Sequence, residues 1–198
     1  LAPHYGHLLL ENLSSRSHFA GDSVPIKVWR AGREVTVQYV LPKANYHDEL
    51  VPREVFEHPP EYVVAGGLVF QPLEQPFLRG WGEDWRRRAP FRLQHYQNES
   101  PTPERPSLVM LSSVLPDPYN LGYQEVRMLI VDQINGRKIT KLQDVVQALK
   151  EPKDGVTRIQ FIKGDTLQSL LLDAATLDEA TQRVLKRYDL PADKRLGS

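Results

Sequence analysis

The sequence predicts an α+β chain built mainly from short antiparallel strands. Three observations carry that reading. Two pairs of partly alternating apolar segments, within 23–41 and 157–172, each meet at a turn signal containing glycine. Two stretches, 142–150 and 176–188, space their apolar residues as helices do. Between the pairs lies an apolar run broken by two glycines, Tyr62-Val63-Val64-Ala65-Gly66-Gly67-Leu68-Val69-Phe70, which stops at Pro72.

Taken in order, residues 5–15 space Tyr5, Leu8, Leu9 and Leu13 helically. Gly21-Asp22 reads as a turn. Val24, Ile26 and Val28 then share one face of a strand, and Val35, Val37 and Tyr39 one face of the next, across Ala31-Gly32-Arg33. A lone hairpin under one helix buries little, so 1–41 reads as the second half of a domain whose first strands precede Leu1. Residues 42–60, rich in proline, histidine and acid, read as a linker with one helical turn at most. Residues 73–82 suggest a short helix with proline in its first turn and glycine at its end. Residues 83–107 are the least regular, with helix expected only near 91–96 and an exposed, proline-rich loop at 100–107. Strands are predicted at 108–115 and 126–134, the second ended by Asn135-Gly136. Thr140 is expected to cap a helix whose face is Leu142, Val145, Val146 and Leu149, stopped by Pro152. A closing hairpin turns at Lys163-Gly164-Asp165. The last helix opens with a Thr176–Glu179 capping box, sets Leu177, Ala180, Val184 and Tyr188 on one face, and ends in Lys186 and Arg187.

Composition excludes several function classes. The 198 residues are 40% hydrophobic and 25% charged, as a globular protein requires. Lys+Arg and Asp+Glu both number 25, so the net charge of zero argues against nucleic acid or an anionic membrane as the main partner. No apolar run nears the ~20 residues of a membrane span. Without cysteine, thiolate catalysis, disulfides and cysteine-based zinc sites are ruled out. A start at Leu1, without methionine or a signal-peptide pattern, reads as a fragment or processed form.

Three motifs tempt a catalytic, metal or phosphate reading. Gly21-Asp22-Ser23 echoes a trypsin-like Gly-Asp-Ser, but Val24-Pro25 follow where an oxyanion hole needs glycines, and the motif sits at a turn. His4, His7, His47 and His58 have no convergent fourth ligand, so no metal and no other cofactor is expected. Arg86-Arg87-Arg88 follows Trp85, which suggests phosphate contact, yet Glu83 and Asp84 precede it; the segment reads as solvated and salt-bridged.

The glycine stretch has two readings. Two glycines that allow a sharp turn with inward-pointing amides, opening onto a strand, suit capture of a peptide's terminal carboxylate, with the peptide added as an extra strand. A hairpin turn between two core strands is the plainer reading. The element order bears on both readings: glycine turn and strand, short helix, strand, strand, Asn-Gly turn, helix, two strands. This order resembles a PDZ domain of HtrA/Deg-type serine proteases, in the branch with tandem PDZ domains that includes plant-type proteins. Tyr62 to Leu73, Pro76-Phe77-Leu78, Val114-Leu115, Asn120-Leu121-Gly122-Tyr123, Gln133-Ile134-Asn135-Gly136 and Asp173-Ala174-Ala175 carry the resemblance, together with Ala180-Thr181 and Leu190-Pro191.

The resemblance implies a PDZ-like, partly open antiparallel β-barrel capped by helices. It divides the chain into the C-terminal half of a first PDZ-like domain at 1–41, a linker at 42–60, a second PDZ-like domain at 61–172 with an insertion at about 83–107, and a C-terminal helix and tail at 173–198. The family's Gly-x-Ser-Gly-Gly nucleophile motif occurs nowhere, so the chain is expected to be non-catalytic, with any protease domain upstream of Leu1. Its implied role is a peptide- or protein-binding regulatory region controlling substrate delivery or oligomer assembly. The competing role is an assembly module with a vestigial or self-occupied groove. Implied partners are protein C-termini, internal strands or further subunits of a homo-oligomer. Bacterial relatives of this kind work in the periplasm and plant relatives elsewhere, so the compartment stays open.

The implied groove runs along Ala65, Gly66, Gly67, Leu68, Val69, Phe70 and Gln71. Leu142, Val145, Val146 and Leu149 form its far wall, and the amides of Gly66, Gly67 and Leu68 meet the carboxylate. Three or four strand hydrogen bonds at roughly 1 kcal/mol each and one buried side chain at ~1.5–3 kcal/mol predict affinities on the order of 1–100 μM. Two departures stand out. Family carboxylate loops read X-Φ-G-Φ with Φ apolar, whereas Ala65-Gly66-Gly67-Leu68 puts glycine at the first Φ; and the insertion is foreign to a minimal PDZ domain.

Overall fold

The computed structural model describes residues 18–41, 49–53, 59–164 and 167–197. The chain divides into two units, 1–46 and 47–198. In the first, β1 (Ser23–Arg30) and β2 (Arg33–Val40) form an antiparallel hairpin. Its register sets Val24 opposite Tyr39, Ile26 opposite Val37 and Val28 opposite Val35, which gathers the apolar residues on one face as the alternation requires. The predicted helix at 5–15 lies outside the described residues.

The second unit is an α+β fold around one antiparallel sheet, whose strand order is β10-β3-β4-β5-β6-β8-β9. The strands are β3 (Tyr62–Ala65), β4 (Leu68–Pro72), β5 (Val109–Val114), β6 (Leu129–Ile134), β7 (Arg137–Lys138, paired to β6), β8 (Val156–Phe161), β9 (Ser169–Asp173) and β10 (Lys194–Arg195). The path ends at β10 on one side and β9 on the other, so the sheet stays open. Helix α1 (Gln75–Arg79) follows β4, with Pro76 in its first turn; α2 (Trp85–Arg88) and α3 (Phe91–Gln94) lie in the insertion. Helix α4 is Leu142–Leu149 and α5 is Leu177–Arg187.

The apolar runs of β5 and β6 are continuous because both faces of the sheet are covered. Val109, Leu111, Leu129 and Val131 point into the main core, with α4. Met110 and Ile130, partners in the ladder, point the other way, into a second core with Trp85, Leu93 and Tyr96. The insertion therefore covers the far face of the sheet. Leu50 and Val51, each 2% exposed and assigned by sequence to the linker, pack into this second core.

Several ends differ from expectation. Strand β6 begins at Leu129, after Met128 at φ +56°. Residue 141, rather than Thr140, is the N-cap of α4; the Asp144 carboxylate accepts from the Lys141 amide (3.1 Å) and from the Thr140 amide (2.9 Å) and hydroxyl (2.8 Å). Thr176 makes no side-chain cap; its hydroxyl donates to Asp173 (2.6 Å) and leaves no capping box with Glu179.

Candidate functional site

The site is built on the turn between β3 and β4. Ala65 faces Leu68, leaving Gly66 (φ +57°) and Gly67 (φ +90°) as a two-residue turn with the positive φ pair of type I′. The hairpin reading of this stretch is thus the observed local structure. A side chain at Gly66 would overlap the Tyr119 ring and come within 3.0 Å of Leu177. The space a side chain at Gly66 would need is taken by Tyr119 and Leu177. A Cβ at Gly67 would run into the Asn120 amide and the Leu115 carbonyl.

Three of the turn's backbone polar groups, the Gly66 amide and the Gly66 and Gly67 carbonyls, are bonded from within. The Gly66 amide donates to Thr181 Oγ1 of α5 at 2.8 Å, and that hydroxyl donates to the Leu177 carbonyl at 2.8 Å. Asn120, fully buried, donates from Nδ2 to the carbonyls of Gly66 (2.9 Å) and Leu115 (2.8 Å) and accepts from the Asp117 amide (3.2 Å). The Leu115 amide donates to the Gly67 carbonyl at 2.7 Å. The amides expected to be free for a carboxylate are therefore not all free: the Gly66 N–H is spent on Thr181.

Helix α5 also clamps the loop that carries Asn120. Arg183 Nη2 donates to Asp117 Oδ1 at 2.9 Å, and the Tyr188 hydroxyl donates to the Pro116 carbonyl at 3.1 Å. Burial raises the Asp117 carboxyl, but the Arg183 hydrogen bond, the Tyr119 amide and the charges of Arg183 and Arg187 together outweigh it and hold it below the ordinary range. The Tyr119 hydroxyl donates to the Asp173 carbonyl at 2.5 Å. Burial, helped by Asp173 and Asp178, pushes that phenol well above the ordinary tyrosine range, so it stays a donor. The Thr176 hydroxyl and the Ala175 amide hold the Asp173 carboxyl low.

Strand β4, the expected groove strand, is paired on both edges. Val63, Val64 and Ala65 of β3 face Phe70, Val69 and Leu68; on the other side Leu68 to Pro72 face β5. Helix α4 packs against β3 as well as β4. The outer edge of β3 is itself covered: β10 pairs with it, and the Val64 amide donates to the Asp193 carbonyl at 2.6 Å. Leu68 and Phe70 are fully buried, Ala65 is buried, and Val69 and Gln71 are half-buried. On α4, Leu142 and Val145 are core residues, while Val146 and Leu149 are only partly buried against that core. Asn135 fixes this helix: its Nδ2 donates to the Ala148 carbonyl (2.8 Å) and its Oδ1 accepts from the Arg158 amide (2.8 Å).

The other candidate motifs resolve locally. Asp22 accepts from the Phe19 amide at 2.8 Å, and the Ser23 hydroxyl donates to Gln38 at 3.1 Å rather than to a base. His4, His7, His47 and His58 lie outside the described residues. Arg86, Arg87 and Arg88 are exposed, and among the described residues none of them makes an ion pair, so the expected pairing with Glu83 and Asp84 is not formed. Sequence reasoning passed over Thr181, although it sits in the buried stripe between Leu177 and Val184. It also missed Asn120 and Tyr119 as partners of the turn.

The second unit thus has an open antiparallel sheet, a glycine turn bonded to a buried asparagine, and a helix after the Asn135-Gly136 turn. A PDZ-domain family model matches residues 51–195, and the chain belongs to that family. Its relatives in Arabidopsis thaliana are Do-like proteases. The chain is 28% identical over 181 residues to Protease Do-like 2, chloroplastic, covering 89% of this chain and 28% of that protein. It is 23% identical over 167 residues to Putative protease Do-like 3, mitochondrial, covering 84% and 27%. Putative protease Do-like 11, mitochondrial, is 24% identical over 170 residues, covering 86% and 25%. The chain spans about a quarter of the length of these relatives.

Proposed function

We propose that the chain is a non-catalytic, regulatory PDZ region of a Do-like serine protease, and that its peptide groove is filled from within by β3. On this reading the region serves protein–protein assembly and holds subunits or neighbouring domains, and it does not capture free C-termini. The domain pattern proposed with it is a half PDZ-like unit at 1–41 ahead of a complete one. One observation carries the proposal: β4 has strand partners on both edges, with β3 lying against α4. The Gly66 amide, spent on Thr181, supports it.

The test is titration of labelled C-terminal peptides into the full chain, followed by anisotropy and by the amide spectrum. A filled groove gives no saturation below about 1 mM, a ceiling of roughly −4 kcal/mol. Sedimentation of the chain is expected to be unchanged by peptide. Micromolar binding that shifts the amides of Gly67, Leu68 and Val69 would establish the competing reading, a groove open to peptides along β4.

A further inference from the structure

Residues 44–136 contain eight arginines and no lysine. Four of the eight, Arg86, Arg87, Arg88 and Arg92, fall within seven residues on α2 and α3. These two short helices present their apolar side to the second core: Trp85, Ala89 and Leu93 are 5%, 6% and 0% exposed. Arg86, Arg87 and Arg88 must therefore fill the outward arc of α2, since successive residues turn by about 100°. None of the four arginines forms an ion pair among the described residues, although Glu83 and Asp84 are their sequence neighbours.

The patch is held in place by backbone contacts. The Gln94 side-chain amide donates to the Arg86 carbonyl and ties α3 to α2. The Arg86 guanidinium lies 4.5 Å from the centre of the Trp85 ring. Arg92 Nη2 donates to the Arg127 carbonyl at 3.1 Å, which draws a fifth arginine to the same region. Phe91 is 76% exposed, with its ring stacked on His95 at 5.6 Å. The outcome is a cationic surface with one exposed aromatic ring, in which none of the four arginines is ion-paired among the described residues.

We infer that this arginine surface on the insertion docks a carboxylate-rich polypeptide segment. Guanidinium is the cation whose planar fork matches a carboxylate with two parallel hydrogen bonds, and the region uses it to the exclusion of lysine. A nucleic acid or an anionic bilayer needs a broad basic field, whereas this chain is neutral overall and its cationic patch is confined to two helical turns. Phe91 adds apolar contact for a residue flanking the acids. The surface is separate from the β3–β4 turn and stands whether that groove is filled or open.

The experiment uses the full chain and a fluorescein-labelled peptide of alternating Glu and Asp with one central Leu, followed by anisotropy. Saturable binding is expected with Kd on the order of 10–100 μM at about 50 mM salt, weakening about tenfold at about 500 mM. Arg87→Gln with Arg88→Gln should weaken binding about fivefold or more. Arg87→Lys with Arg88→Lys should recover only part of that loss, because charge returns without the fork. Both positions are exposed, so an unchanged thermal unfolding curve checks that the fold is intact. Binding indifferent to the glutamine substitutions overturns the inference. So does failure of the acidic peptide to bind while single-stranded DNA or phosphatidylglycerol vesicles do.

Discussion

Thr181→Val isolates the link between α5 and the glycine turn. The substitution keeps the shape of the side chain and deletes its hydroxyl. Thr181 is 7% exposed and accepts the Gly66 amide at 2.8 Å, so valine leaves that buried donor without a partner. A buried unsatisfied amide costs about 1–3 kcal/mol. The added methyl offsets part of this, since burying one more carbon is worth up to ~0.8 kcal/mol. The net expectation is a destabilisation of about 1–2 kcal/mol. For a unit of this size that lowers Tm by roughly 2–8 °C. Locally, amide exchange at Gly66 should accelerate about 5- to 30-fold, while Phe161 and Ile159 of β8 keep their protection. Thr181→Ser restores the acceptor and should recover most of the exchange protection. Exchange at Gly66 that stays within twofold of the parent, with stability unchanged to about 0.3 kcal/mol, would refute the idea that this bond holds the turn.

Two further expectations concern the same hub. Gly67→Ala should cost about 3 kcal/mol or more in urea unfolding: a positive φ costs alanine ~1–2 kcal/mol, and the new methyl displaces the Asn120 and Leu115 contacts at about 1 kcal/mol each. Gly122→Ala, equally at positive φ (+93°) but with open space around its Cβ, should cost only the backbone part, so equal losses at the two sites would contradict the contact argument. Acid titration followed by fluorescence should show stability falling below the ordinary aspartate value of 3.8, because Asp117 and Asp173 both titrate lower in the folded chain. Their contribution is present above 3.8 and is lost as pH drops through the folded values; Asp117→Asn should flatten that fall, and an unchanged slope would remove Asp117 from the account.

Much of the frame was legible because it rests on period and punctuation. The two glycines of the 66–67 turn, the Asn135-Gly136 turn, the apolar face of α4 and the stripe of α5 are local signals, and local chemistry decides them. What the sequence withheld depends on long-range pairing. Strand β10 is two residues, Lys194 and Arg195, too short to alternate, and only its pairing with Val63 and Tyr62 makes it a strand. Helix α2 is a single turn whose one apolar member, Trp85, and its C-cap, Ala89, have no periodicity to read until a second core exists to bury them. The apolar run at 108–115 marked a strand but not that the insertion covers its second face. The groove itself was the largest gap. Sequence places β3 before β4 under either reading, and only the register shows that the two strands pair along one edge.

Two glycines join β3 to β4, and that short tether sets a threshold in the language of concentration. A strand attached this closely presents itself to its partner at an effective concentration on the order of millimolar or higher, whatever the solution contains. An outside peptide offering the same ladder bonds to that edge of β4 competes against a neighbour that never diffuses away. Change at this edge is therefore governed less by how much peptide is present than by what loosens Thr181, Asn120 and β10.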